Sequence, residues 1–169
     1  MALKSALAIS ASATLTGTTD LASISSPLSF SRAVQLASGT GAGKADRMFA
    51  DTRTLAASAT EDLDLSGALL DALGGSAAFV RIKALVIAAD KDNTNNVIFG
   101  AASANAWATL LNSTGTVTLR PGAAACFMAG VADATGWGVT AGTGDLLKVA
   151  NSAGSTSVNY DIVVIGNSA

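Results

Sequence analysis

Histidine does not occur in this 169-residue sequence, and glutamate occurs once, at Glu61. That inventory removes Ser-His-Asp triads, Cys-His pairs, His-containing metal sites and paired-glutamate glycosidases. Chemistry would have to run on aspartate, serine, threonine and the single thiol of Cys126. Asp90 and Asp92, in AADKDNTNN, offer the hard oxygen ligands that suit calcium. The segment lacks the glycine and the closing glutamate of a calcium loop, so a solvated turn accounts for it better. In SGTGAGKAD, from Ser38, the glycines and Lys44 imitate a phosphate-cradling loop. However, Ser38 stands where that motif needs its first glycine, Ala45 replaces the hydroxyl residue that would hold magnesium, and no helical pattern follows. A Gly-rich connection between strands explains the same residues. No catalytic residue, metal ligand or cofactor site is expected, and the chain reads as non-enzymatic.

The elements that would have to position any site are short segments of alternating polarity bounded by Gly, Asn, Asp or Ser. They predict strands at residues 28–37, 47–56, 61–65, 78–88, 96–99, 116–120, 124–129, 138–140, 146–150 and 157–165. An all-β sandwich or barrel follows. In FVRIKALV, Val80, Ile82, Ala84 and Val86 fall on one face and Phe79, Arg81, Lys83 and Leu85 on the other, which predicts a strand with one core side and one partly wet side. VNYDIVVIG near the C-terminus predicts a central strand covered on both faces. RPGA at residues 120–123 and NSAGST at 151–156 predict turns that close hairpins. Only SGALLDALGG from Ser66 and ASANAWATLL from Ala102 could form helical turns.

Residues 1–27 differ from the rest. They are small, polar and without a sustained period, and Pro27 closes them, so the organisation predicted is an extended N-terminal arm over 1–27 and a β domain over 28–169. MALKSALAISASATL imitates a secretory signal, but Ser5, Ser10 and Ser12 break its apolar stretch, so none is expected.

Charged residues make up 13% of the chain, with a net charge of −2 and no Lys/Arg cluster, so nucleic acid is not an expected partner. The apolar runs fall short of the roughly 20 residues that span a bilayer, so neither is a membrane, and a soluble protein is expected. A surface this poor in charge is weakly protected against association, which suggests that neighbours cover much of it. Leu3, Leu7, Ile9, Leu15, Leu21, Ile24 and Pro27 in the arm are therefore interface candidates. Among the scarce aromatics, Trp107, Phe127 and Tyr160 fit a core, while Trp137, between Gly136 and Gly138, fits a surface contact. Cys126 lies in an apolar run and fits a small buried hydrophobe.

EDLDLSGALLDALG, VTLRPGA, ATGWGVTAGTGDLLKVAN and YDIVVIG give the chain from about residue 45 to 166 a texture that resembles the capsid decoration (cement) proteins of tailed bacteriophages. The resemblance implies a jelly-roll-like antiparallel β-sandwich that is made in the host cytoplasm and carried on the capsid exterior. It also implies a dimer or trimer bound to the major capsid protein. The long Ser/Thr/Ala-rich start departs from compact members of that group. Two other expectations share this composition: a low-copy head-fibre, tail-tip or adaptor protein of a virion, and a secreted carbohydrate-binding or adhesive module that stacks sugars on Trp107 or Trp137.

Overall fold

The computed structural model describes residues 2–67 and 69–169, and the fold is all-β, with no helix among the described residues. Twelve strands succeed one another: β1 (Ser5–Thr18), β2 (Ser23–Ser38), β3 (Lys44–Ala45), β4 (Arg47–Leu55), β5 (Thr60–Asp64), β6 (Arg81–Ala89), β7 (Val97–Gly100), β8 (Thr116–Leu119), β9 (Ala124–Met128), β10 (Trp137–Gly138), β11 (Leu146–Asn151) and β12 (Val158–Asn167). β1 and β2 form an antiparallel hairpin, to which β3 adds briefly. One antiparallel sheet of the body runs β4-β12-β6, with β9 and β10 sharing the far edge of β6. The other runs β5-β11-β7-β8.

Both sheets contribute to one hydrophobic cluster. Phe49, Leu55, Leu85, Ile87, Tyr160, Ile162 and Val164 come from the first, and Leu63, Val97, Phe99, Leu119, Leu147 and Val149 from the second. Trp107 sits in this cluster and donates from Nε1 to the Gly138 carbonyl at 2.9 Å. An indole can be buried only when its N–H finds such an acceptor. β12 is central, as its sequence predicts: Tyr160, Ile162 and Val164 face the shared core, and Ile165 is buried on the opposite face.

β6 departs from its predicted faces. Ile165 pairs with Ala84 and Gly166 with Ile82, so the register skips Lys83. This β-bulge turns Ile82 into the core beside Leu85, Ile87 and Ala89, and leaves Ala84 and Val86 on the outer face. One core side and one partly wet side remain, but exchanged: Val86 and Ala88 on the outer face are half-buried, while Lys83, placed with Leu85 in the prediction, is 1% exposed. Its Nζ donates to the Asp133 carbonyl at 2.6 Å, and its own carbonyl accepts from Ala129 N–H at 2.8 Å. Burial holds its ammonium below the usual lysine range.

The two predicted hairpin turns are also corrected. Arg120–Ala123 is a tight turn closed by Ala123 N–H on the Arg120 carbonyl, with Gly122 at φ 75°, yet β8 and β9 lie in different sheets. β11 and β12 are likewise split between sheets by the loop at 151–157. Such turns carry the chain across the core rather than back along a neighbour. In the segment from Ser66, Ala68 lies outside the described residues. Its remainder forms turns in which Asp71 Oδ1 accepts from the N–H groups of Leu73 and Gly75. Residues 102–111 form turns as well: Asn105 takes a φ of 47°, which a helix interior does not accommodate.

Candidate functional site

The feature most unlike an ordinary domain surface is the β1–β2 hairpin. Residues directly opposite in an antiparallel pair share a face, and faces alternate along each strand. One face carries Leu7 opposite Val34, Ile9 opposite Arg32, Ala11 opposite Phe30, Ala13 opposite Leu28, Leu15 opposite Ser26 and Gly17 opposite Ile24. The other carries Ser10 opposite Ser31, Ser12 opposite Ser29, Thr14 opposite Pro27, Thr16 opposite Ser25 and Thr18 opposite Ser23. The hairpin is therefore amphipathic at period two, with Ala diluting both faces. Its tip is closed by Thr19 N–H on the Ala22 carbonyl at 2.8 Å and by the Thr19 hydroxyl, which accepts from Ala22 N–H at 3.1 Å.

Only the base of this element is held by the body. Leu36, Ala45, Ala84 and Ile165 form a second buried cluster, with Leu3, Leu7, Val34, Met48, Met128 and Val163 packed around it. Where the hairpin passes the edge of the first sheet, Ile9, Phe30 and Arg32 line a groove with Cys126, Phe127, Met128 and Trp137. Beyond that groove nothing supports it, and every residue from 8 to 33 is exposed. The Arg32 guanidinium lies 5.2 Å from the centre of the Phe30 ring.

The interface candidates thus fall into four groups. Leu3 and Leu7 are half-buried against the chain's own sheet. Ile9, Leu15, Leu21 and Ile24 are exposed, Leu15 at 78% and Leu21, at the tip, at 98%. Pro27 does not end the element but lies within β2, which continues to Ser38. The outer edge of β2 is unpaired there, since β3 joins it only at Ala37 and Ser38, and an edge strand tolerates a residue without an N–H. Trp137 sits in β10, opposite Ile82, half-buried against the main cluster and at the wall of the groove. Leu28 and Phe30 are exposed on the apolar hairpin face and were not among the candidates. The signal that could have found them is the pair of alternating runs flanking TTDLAS.

The residues with chemical potential are engaged in local structure. Gly39, Gly41 and Gly43 take φ values of 126°, 94° and 65°, so the glycines serve the tight link from β2 to β3. Asp90 Oδ1 accepts from Asp92 N–H, while Asn93 exchanges hydrogen bonds with the backbone of Asn159. Cys126 is half-buried on the outer face of β9, and burial pushes its thiol up.

Two polar clusters join residues far apart in sequence. Glu61 Oε2 accepts from Arg53 Nε at 2.8 Å and from its Nη2, Glu61 Oε1 accepts from the Tyr160 hydroxyl at 2.6 Å, and Asp51 takes Arg53 Nη1. Desolvation, then the Glu61 hydrogen bond, pushes the buried Tyr160 phenol well above its ordinary range. In the second cluster the Ser66 hydroxyl lies 2.8 Å from Asp64 Oδ1 and 2.9 Å from Asp145 Oδ2. A hydroxyl has one proton, so it donates to one of these carboxylates at a time. Asp145 is buried, with Gly142 N–H on Oδ2 and no donor facing Oδ1 among the described residues. Asp51 and Arg53 of the first cluster and Asp64 of the second line one open cleft of about 390 Å³, together with Asp62, Phe49 and Leu69. A cleft of about 520 Å³ near the hairpin base is lined by Leu3, Met48 and Leu73 together with Arg47, Asp46 and Asp71, a mixed-charge rim without a convergent set.

The chain matches no family model, no curated protein and no solved structure.

Proposed function

We propose that this chain is a non-enzymatic virion structural protein that decorates and stabilises the outside of an icosahedral phage capsid, binding the major capsid protein as a dimer or trimer. The observation that carries this reading is an exposed, nearly uncharged amphipathic hairpin rooted on an all-β body. A two-stranded ribbon exposed on both faces is marginal in water, so a chain that keeps one is equipped to lay it on another surface. Its open edges add main-chain donors and acceptors that pair with a neighbour whatever the side chains are. Repeated over a symmetric shell, such contacts reinforce one another, because each tether makes the next one intramolecular.

The finer architecture proposed is a jelly-roll-like sandwich with an N-terminal arm, the arm being the hairpin. Strand order supports it: apart from β10, the body strands run β4-β12-β6-β9 in one sheet and β5-β11-β7-β8 in the other. Numbered one to eight along the body, these are 1-8-3-6 and 2-7-4-5, the order of a jelly roll, an architecture used by viral capsid domains and by lectins.

Copy number tests the function. In purified particles, the chain measured by quantitative mass spectrometry against the major capsid protein is expected at hundreds of copies. A handful of copies would transfer it to a fibre, tail-tip or adaptor role, and absence from particles together with binding on a glycan array would overturn the virion reading.

A further inference from the structure

The hairpin's apolar face does not stop where its own body ends, and the body has an apolar strip that its own hairpin borders at Val163 and Cys126 without closing it off from solvent. Across the outer face of the first sheet, the register aligns Met48, Ile165, Ala84 and Met128 in one row, which the hairpin base covers. The next row aligns Ala50, Val163, Val86 and Cys126. It is apolar on all four strands, and every member retains solvent exposure. The row beyond aligns Thr52, Asp161, Ala88 and Ala124, so it turns polar on β4 and β12.

From Ile9 at the groove to Thr18 near the tip, the free ribbon reaches about 30 Å at the usual rise per residue, whereas four strands side by side span only about 15 Å. The ribbon leaves its own sheet at the β9 edge and overshoots it, so its outer half cannot fold down on the strip it came from.

We propose that the free hairpin of one molecule seats its apolar face, chiefly Leu15 and Leu28, on the Ala50–Val163–Val86–Cys126 row of a second copy of the chain. The occupant is argued from continuity, because this ribbon face already covers the adjoining row of this sheet within one molecule. Charge adds no objection: the ribbon between Ser5 and Ser38 contains only Asp20 and Arg32, and the row contains no charge. The contact is heterologous, ribbon to sheet, and closes into a ring or a reciprocal pair. It deepens the assembly role proposed above by naming the partner of the hairpin, but it needs no capsid.

Cys126, the only cysteine, lies in the proposed seat and makes the test direct. A thiol placed by L15C is four residues past the Ala11–Phe30 pair at the groove's outer end, about 14 Å along the ribbon. A disulfide needs Cα atoms within about 7 Å, so any bond between the two thiols joins different molecules. Mild oxidation of the purified L15C chain is expected to give covalent dimers or rings on a non-reducing gel, and L15C/C126S none. The L15S/L28S chain, changed only at exposed positions, is expected to sediment as a smaller species than the wild type. Cross-linked dimers that persist in L15C/C126S would mean that ribbons meet ribbons, and a wild type that is monomeric at high concentration would mean that copies do not meet. Either result overturns the proposal while leaving the copy-number test of the virion reading untouched.

Discussion

Leu36→Ala is expected to release the hairpin without unfolding the body. Leu36 is 4% exposed at the centre of the small cluster that ties the ribbon to the outer sheet, and the other ribbon residues there, Leu3, Leu7 and Val34, are only half-buried. Burying a leucine side chain contributes about 2 kcal/mol, and truncating one in a core costs about 2–5 kcal/mol. The low end applies, because half-exposed neighbours can relax into the space. A loss of about 2 kcal/mol multiplies the local opening equilibrium roughly thirty-fold. An isolated ribbon has little stability of its own to resist that change. Native-state hydrogen exchange reads it directly: ribbon amides between β1 and β2 near Leu7 and Val34 should lose about thirty-fold in protection, while those between β6 and β12 keep theirs. Equal losses in ribbon and body would show that the two open as one cooperative unit, and unchanged ribbon protection would show that Leu36 is not the tether.

Glu61→Ala should cost about 2–4 kcal/mol in urea denaturation, because it leaves the buried Tyr160 hydroxyl without an acceptor and Arg53 with Asp51 as its remaining carboxylate partner. A double-mutant cycle with Tyr160→Phe should return a coupling of about 1 kcal/mol or more, and additivity would contradict the geometry. The raised Tyr160 pKa predicts pH dependence: the folded state favours the protonated phenol, so its contribution is complete below the unfolded value of 10.0 and declines as pH rises above it. Alkaline denaturation curves should therefore be flatter above that pH in Tyr160→Phe than in the wild type, and parallel curves would refute the assignment. Gly166→Ala would place a Cβ 2.1 Å from the Arg81 carbonyl and 2.8 Å from Phe79 Cδ1 at the bulge, so thermal unfolding should report about 2–3 kcal/mol of destabilisation. A change below about 0.5 kcal/mol would mean the bulge relaxes freely.

Sequence made the body strands legible because each is a short apolar alternation cut off by turn residues, a signal that local chemistry writes plainly. β4, β5, β8, β9 and β11 lie within a residue or two of the segments predicted for them. β1 was hard to read because Ala occupies both faces, Ala6 and Ala8 on one and Ala11 and Ala13 on the other, which mutes the alternation of Leu7, Ile9 and Leu15 with Ser10, Ser12, Thr14 and Thr16. β6 was legible as a strand but not in its faces, since a bulge at Lys83 is set by the 129–136 loop folding around that lysine, a contact no local pattern encodes. The turn chemistry at Pro121 and Gly122 was read correctly as a turn, but where a turn leads depends on which sheet holds the next strand. The clusters at Glu61 and Asp145 were invisible for the same reason: Tyr160 and Glu61 are 99 residues apart, and Ser66 and Asp145 are 79 apart.

The pairing of β4 with β12 joins the beginning of the body to its end, and Ile165, one of the four residues buried at the hairpin's root, belongs to that last strand. A ribosome delivers the ribbon well before that foothold. Through most of translation the ribbon's root therefore has no sheet to rest on, and the long-range closure that creates one is the slow kind. A ribbon written mostly in serine, threonine and alanine, with its large apolar side chains spaced apart, is one that can stay hydrated in water until that strand arrives.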